Sequence, residues 1–158
     1  KCREKLRSYA SQLQFGWGKG MVFDRGYKIE DLVEHSLKAV AEGFDAIKIN
    51  FITYDGNGNR LGFLKGPIMP GTRALIEERV KAVREAVGDG VDIIVENHAR
   101  TDAVSAVEMS QIIKPYGIMF MEETCTPMNL QVLETVRNHS AVCRQAERGF
   151  MVNTIMPI

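Results

Sequence analysis

Two side chains of complementary chemistry, Glu96 and His98, end the short apolar segment 92–98. The segment predicts a buried strand, and residues two apart on a strand point to the same side. A carboxylate and an imidazole on one face can exchange protons, and catalytic side chains of parallel α/β proteins lie at the carboxyl ends of strands. The pair therefore predicts an active site.

Polar residues also end the neighbouring apolar runs. Lys48 and Asn50 end the preceding run, Glu122 ends the following one, and Glu147 comes one strand–helix period later. A parallel sheet would bring Glu96, Glu122 and Glu147 to one rim, because one carboxylate arrives with each period.

Three clustered carboxylates repel each other and are costly to remove from water unless a positive charge neutralises them. A hard divalent cation prefers oxygen ligands, so we expect these acids to bind Mg²⁺. The alternative is a solvated ion-pair network in which the glutamates pair with Lys48, Arg100 and Arg148. One glutamate considered alone is more simply explained as a member of such a network. Three glutamates at the same position of successive strand–helix units favour the cation site.

The elements that would position these residues alternate along the chain. Periodicity and turn signals predict strands at 7–15, 46–53, 92–98, 118–123 and 141–146, and helices at 29–42, 72–87, from Asp102 to about 115, and from Asn129 to about 138. The connection 54–70 is long for a βα loop, which is typical of a functional or disordered segment.

This alternation predicts an α/β fold with a parallel sheet covered by helices, either an open doubly wound sheet or part of an eightfold barrel. No Gly-x-Gly-x-x-Gly or Walker-type loop is present, and the polar residues recur at one rim. We therefore expect a single domain over residues 1–158, a partial TIM-type (β/α) barrel with about five parallel strands and four helices.

The amino-acid composition argues against two classes of binding partner, nucleic acids and membranes. Lys plus Arg and Asp plus Glu number 20 each, which argues against a nucleic-acid partner, and no apolar run is long enough for a membrane helix. The three cysteines are widely spaced, which favours a reducing compartment, so we expect a cytoplasmic protein that binds a small molecule.

The rim residues also carry a resemblance. The order Lys48-Ile-Asn50, Glu96-Asn-His98, Glu122-Glu123 and Ala146-Glu147-Arg148 resembles the enolase superfamily, specifically its mandelate racemase/muconate lactonizing branch. The acid-x-His pattern at Glu96 is similar to that of acid-sugar dehydratases of the galactonate and mannonate type. Members also have a capping domain before the barrel and further strands after the fifth, and we expect neither within these 158 residues.

The resemblance implies a lyase reaction and a role for each residue. Glu96, Glu122 and Glu147 would hold Mg²⁺, which stabilises the enediolate formed when the α-proton of a sugar acid leaves. His98, as imidazolium, would protonate the departing β-hydroxyl to give a 2-keto-3-deoxy acid, and Lys48 would offset negative charge. Asn50 and Arg100 would contact substrate, although Arg100 could instead pair with Glu122.

Departures from the family pattern leave alternatives open. Racemases of the branch have a second lysine where this chain has Asn50, which disfavours a racemase or cycloisomerase. A five-stranded segment would expose two sheet edges, so we expect a homo-oligomer or pairing with other segments of the same barrel. A non-catalytic fragment that assembles only with a partner remains the alternative.

Four other residues have simpler predicted roles. Strand alternation predicts that Glu123 faces away from Glu122 as structural support. His35 and His139 are predicted at helix surfaces, and Trp17 is predicted to pack against its neighbours.

Overall fold

The chain folds into alternating strands and helices in a computed structural model that describes residues 6–18, 26–126, 128–142 and 144–145. The strands are β1 (Ala10–Ser11), β2 (Ala46–Ile49), β3 (Asp92–Glu96), β4 (Ile118–Glu122) and β5 (Arg144–Gln145). The helices are α1 (Ile29–Ala41), α2 (Pro70–Val87), α3 (Ala103–Ile113) and α4 (Leu130–His139), with short 3-10 turns at Leu13–Phe15 and Lys114–Tyr116.

The strands form one parallel sheet whose spatial order is the chain order, β1-β2-β3-β4-β5. A doubly wound sheet reverses its strand order at a switch point, whereas a (β/α) barrel adds each strand beside the last. The predicted partial barrel of five strands and four helices is thereby confirmed.

The core lies between the sheet and its helices. All four residues of β2 are buried, as are the last four of β3, because both faces of a parallel sheet are covered. On α2, Ile76, Val80 and Val83 are fully buried at the spacing of one helical face, as the sequence predicts.

Two predictions of helix orientation are wrong. His35 is buried, with its Nδ1 2.8 Å from the Leu13 carbonyl oxygen, because the inward face of α1 is centred on Leu32, His35 and Ala39. On α3, the apolar spacing predicts that Val104 faces inward, but Val104 is exposed, since the buried face of this helix runs through Ala106, Met109 and Ile113.

The first strand is also shorter than predicted. Only Ala10 and Ser11 pair with β2, and the chain then turns at Gln12, whose φ of 64° lies in the left-handed region. The strand ends there because a left-handed residue cannot continue an extended backbone.

Side-chain caps start the helices that follow the rim loops. Asp102 accepts hydrogen bonds from the Ser105 amide at 2.9 Å and the Gly66 amide at 2.7 Å, which confirms it as the N-cap of α3. Burial raises the pKa of Asp102, but these hydrogen bonds outweigh burial and the net pKa is lowered. Asn129 caps α4 through the Gln131 and Val132 amides.

The long loop between β2 and α2 is held by a buried arginine. The Arg79 guanidinium donates to the carbonyls of Phe51 at 2.8 Å, Tyr54 at 2.6 Å, Asp55 at 3.1 Å and Tyr27. Burial lowers the pKa of Arg79 because the charged form has left water. The sequence predicts no such role for a charged residue on a helix.

No described helix combines the length and the apolar composition that crossing a bilayer requires.

Candidate functional site

Three charged side chains meet at the carboxyl ends of β2, β3 and β4. Glu96 and Glu122 are register partners across β3 and β4, so their carboxylates arrive side by side. The Lys48 ammonium lies between them, with Nζ 2.7 Å from Glu96 Oε2 and hydrogen-bonded to Glu122 Oε2. The structure thus brings together two of the predicted metal ligands and the predicted lysine.

These three residues are buried rather than part of a solvated rim. Lys48 is 3% exposed, Glu96 5% and Glu122 4%. Burial by itself would lower the pKa of Lys48, but the hydrogen bonds and negative charges of Glu122 and Glu96 raise it overall. The Lys48 ammonium therefore stays protonated at neutral pH.

His98 lies beside this cluster at the open end of the sheet. Its Nε2 is 3.7 Å from Glu96 Oε2, and its side chain is 41% exposed. The strand ends at Glu96, and His98 follows in a turn with a left-handed φ of 50°. The predicted proximity of acid and imidazole is present, but the turn produces it rather than strand alternation.

Asn50 fixes the orientation of the His98 ring. Its Oδ1 accepts a hydrogen bond from the Ile52 amide at 3.0 Å, which leaves its Nδ2 to face His98 Nδ1 at 3.2 Å. Because the amide nitrogen can only donate, Nδ1 acts as the acceptor and the neutral ring carries its hydrogen on Nε2. Nε2 is the ring nitrogen that faces Glu96.

A further carboxylate, Glu123, joins the site contrary to the alternation argument. Glu123 follows the end of β4 with a left-handed φ of 50°, which interrupts the extended backbone. Glu96, His98 and Glu123 each offer a ligand atom within 4.8 Å of the others. Strained backbone of this kind often occurs at functional sites.

The loops after β3 and β4 are tied to each other by residues that the sequence does not single out. The Asn97 side chain donates to Thr101 Oγ1 at 2.6 Å and to the Thr124 carbonyl at 2.8 Å, and it is fully buried. The Ala99 amide donates to the Glu123 carbonyl at 2.7 Å. These bonds hold His98 and Glu123 in register.

Arg100 contacts the long loop rather than Glu122. Its guanidinium donates to the Leu61 carbonyl, and its backbone carbonyl accepts from the Leu64 amide at 2.9 Å. Burial lowers the pKa of Arg100, with nearby Arg60 adding to the effect. Among the described residues, the cation that contacts Glu122 is Lys48.

The three remaining predictions have different outcomes. Trp17 packs edge-on against Phe44, with ring centroids 5.5 Å apart, as predicted. His139 is exposed near the end of α4, as predicted. Glu147, the third predicted metal ligand, lies outside the described residues.

The donor set fits a hard divalent cation. Glu96 Oε1 is buried and has no hydrogen-bond partner among the described residues, although a buried carboxylate oxygen ordinarily needs one. A cation would satisfy this oxygen and offset the repulsion between the two carboxyl groups. Glu96 and Glu122 would supply oxygen ligands from adjacent strands, with Glu123 and His98 next to Glu96.

Comparison with known proteins agrees with this geometry. The family model described as Enolase C-terminal domain-like matches residues 31–146. D-gluconate dehydratase from Thermoproteus tenax is 33% identical over 142 residues, which are 90% of this chain and 24% of that protein. D-gluconate/D-galactonate dehydratase from Picrophilus torridus is 24% identical over 123 residues, 78% of this chain and 27% of that protein.

A solved structure shows the same fold. A member of the enolase superfamily from Salmonella Typhimurium superposes with a TM-score of 0.86 and 41% identity, covering 91% of this chain and 37% of that one. This chain spans about a quarter of the length of the two curated relatives. It therefore belongs to the Enolase C-terminal domain-like family and forms a segment of the enolase-superfamily barrel.

Proposed function

We propose that the protein is a Mg²⁺-dependent acid-sugar dehydratase, and that this chain supplies part of its cation site and its proton donor. The proposal rests on the buried Glu96–Glu122 pair beside His98, in which Glu96 Oε1 has no hydrogen-bond partner from residues 6–18, 26–126, 128–142 or 144–145. The dehydratase names of the relatives support the same reaction class.

The cation would be held by Glu96 and Glu122, with Glu147 as the proposed third ligand. When bound, it supplies positive charge to the substrate carboxylate and to the negative charge that develops as the α-proton leaves. The strands fix Glu96 and Glu122 before substrate arrives, so little reorganisation is needed.

His98 would act on the leaving group. As the imidazolium, His98 delivers a proton from Nε2 to the β-hydroxyl oxygen, the carbon–oxygen bond breaks with its electron pair on oxygen, and water departs, while the α-proton passes to a base of the full protein. Asn50 directs Nε2 towards the cluster, and its side-chain amide must turn Oδ1 instead of Nδ2 to Nδ1 when the ring is protonated. The product is a 2-keto-3-deoxy acid.

Asn50 also bears on the choice between dehydration and racemisation. A two-base racemase needs a second titrating group, and an amide side chain cannot take up a proton in the neutral range. The side chain of Asn50 hydrogen-bonds to the His98 ring and to the Ile52 amide. Racemisation or cycloisomerisation is therefore the weaker alternative.

The outer strands β1 and β5 have two paired residues each and a neighbour on one side only within the described sheet. We propose that further barrel strands, or a second copy of the chain, pair with these edges, because an uncovered edge invites association. Size measurement in solution would separate the two.

The test of the proposed activity is to incubate the full protein with Mg²⁺ and D-gluconate, D-galactonate or D-mannonate in deuterium oxide. We expect one of these acids to yield a 2-keto-3-deoxy acid, visible by NMR as new signals from a C3 carbon that carries one hydrogen and one solvent deuteron. Exchange of the α-proton without loss of water would identify a racemase instead. No change in any acid tested would contradict dehydration of these three substrates.

A further inference from the structure

The Lys48 ammonium occupies the position at which Glu96 and Glu122 converge. It contacts the Oε2 atoms of both carboxylates, and the three side chains are each at least nine-tenths buried. The ammonium offsets the mutual repulsion of the two carboxylates, as a divalent cation at the same position would.

We propose that Lys48 is an internal competitor of the divalent cation for the Glu96–Glu122 pair. The ammonium neutralises the carboxylates while no divalent ion is bound and withdraws from them when the ion binds. This inference rests on the cation site of the proposed function and adds to it a residue that tunes the affinity of that site.

Two features favour withdrawal of the Lys48 ammonium when a divalent ion binds: the repulsion between the two cations and the carboxylate oxygen that is open to the ion. An ammonium and a divalent cation that share the same carboxylate oxygens repel each other strongly in a buried site. Within the part of the chain that the structure describes, Glu96 Oε1 has no hydrogen-bond partner, so an arriving ion can bind this oxygen before Lys48 moves.

An alternative position for the ammonium lies next to the cluster. Lys48 Nζ is 5.2 Å from the centroid of the Tyr9 ring. Tyr9 directly precedes β1, the strand that pairs with β2. An aromatic face attracts a cation at this distance, so the side chain can move away from Glu122 without becoming an isolated buried charge.

The competition predicts that removing the ammonium tightens cation binding. Isothermal titration of Mg²⁺ into the full protein should give an affinity about tenfold higher for Lys48→Met than for the wild type, within the usual range of coupling between two binding events. Lys65→Met removes an exposed lysine and should leave the affinity unchanged.

The outcomes separate the competition from the cation site itself. Equal or weaker Mg²⁺ binding by Lys48→Met would overturn the competition while leaving the site intact. Absence of Mg²⁺ binding in both the wild type and Lys48→Met would overturn the cation site, and the competition with it. Tighter binding supports both.

A second measurement on the wild type covers the case in which Lys48→Met fails to fold. Acetylation of lysines followed by mass spectrometry should show Lys48 protected without Mg²⁺ and modified faster with Mg²⁺, while Lys65 reacts equally in both. Unchanged protection of Lys48 at saturating Mg²⁺ would overturn the competition.

Discussion

Replacing Arg79 by methionine is expected to lower the free energy of unfolding by about 3–5 kcal/mol, because several buried carbonyls lose their hydrogen-bond donor at once. The guanidinium bonds to the carbonyls of Phe51, Tyr54, Asp55 and Tyr27, and Arg79 is one of the largest fully buried side chains. Methionine fills most of the volume but donates nothing. Urea denaturation followed by circular dichroism measures the loss.

Two further variants show whether the donors or the charge matter. Arg79→Lys keeps the charge but places three donors on a single point, so we expect it to recover only part of the stability. Arg60→Met changes an exposed arginine and should be nearly neutral. If Arg79→Met lowers the free energy of unfolding as little as Arg60→Met does, the stabilising role of the Arg79 guanidinium is contradicted.

Replacing His98 by asparagine is expected to slow formation of the 2-keto-3-deoxy acid by a factor of about 10²–10⁴, the usual contribution of a general acid. The reason is that His98 Nε2 supplies the proton that lets the β-hydroxyl leave. Removal of the α-proton does not need this group, so exchange with deuterium oxide should persist in the variant. NMR follows product and exchange in the same sample.

The matched control for His98 is His139→Asn, which changes an exposed histidine on α4. It should retain the full rate of dehydration. Equal loss of exchange and of product in His98→Asn would contradict an acid role confined to the leaving group, and would indicate that His98 removes the α-proton.

The parts of the site that depend on strand register could be predicted from the sequence. Glu96 and Glu122 follow apolar runs at equivalent positions, and parallel strands bring such positions to one rim. Lys48 was predicted near them for the same reason. Sheet periodicity is a strong signal because it repeats with every βα unit.

The parts that depend on turns could not be predicted in this way. His98, Ala99 and Glu123 all have left-handed backbone conformations, and the period of two ceases to apply where an extended strand ends. Glu123 therefore lies close to Glu96, although strand alternation predicts that it faces the opposite side of the sheet. Asn and Gly are the residues that signal such a conformation, and none of these three is either.

Buried polar residues were the other source of error. His35 and Arg79 lie on amphipathic helices where polar residues ordinarily face solvent, so hydrophobic periodicity places them outside. In the structure each one bonds to a carbonyl of a neighbouring loop, at Leu13 for His35 and at Phe51 for Arg79. Such long-range partners are absent from local sequence patterns.

The measurement that tests the buried carboxylate pair as a cation site most directly is the melting temperature of the protein with and without millimolar Mg²⁺, compared with that of Glu122→Gln. An ion that binds only the folded state at about 100 times its dissociation constant adds about 2.7 kcal/mol of stability. We predict a rise for the wild type and for Glu134→Gln, an exposed control on α4, and none for Glu122→Gln. An unchanged melting temperature in the wild type, or an equal rise in Glu122→Gln, would contradict the cation site.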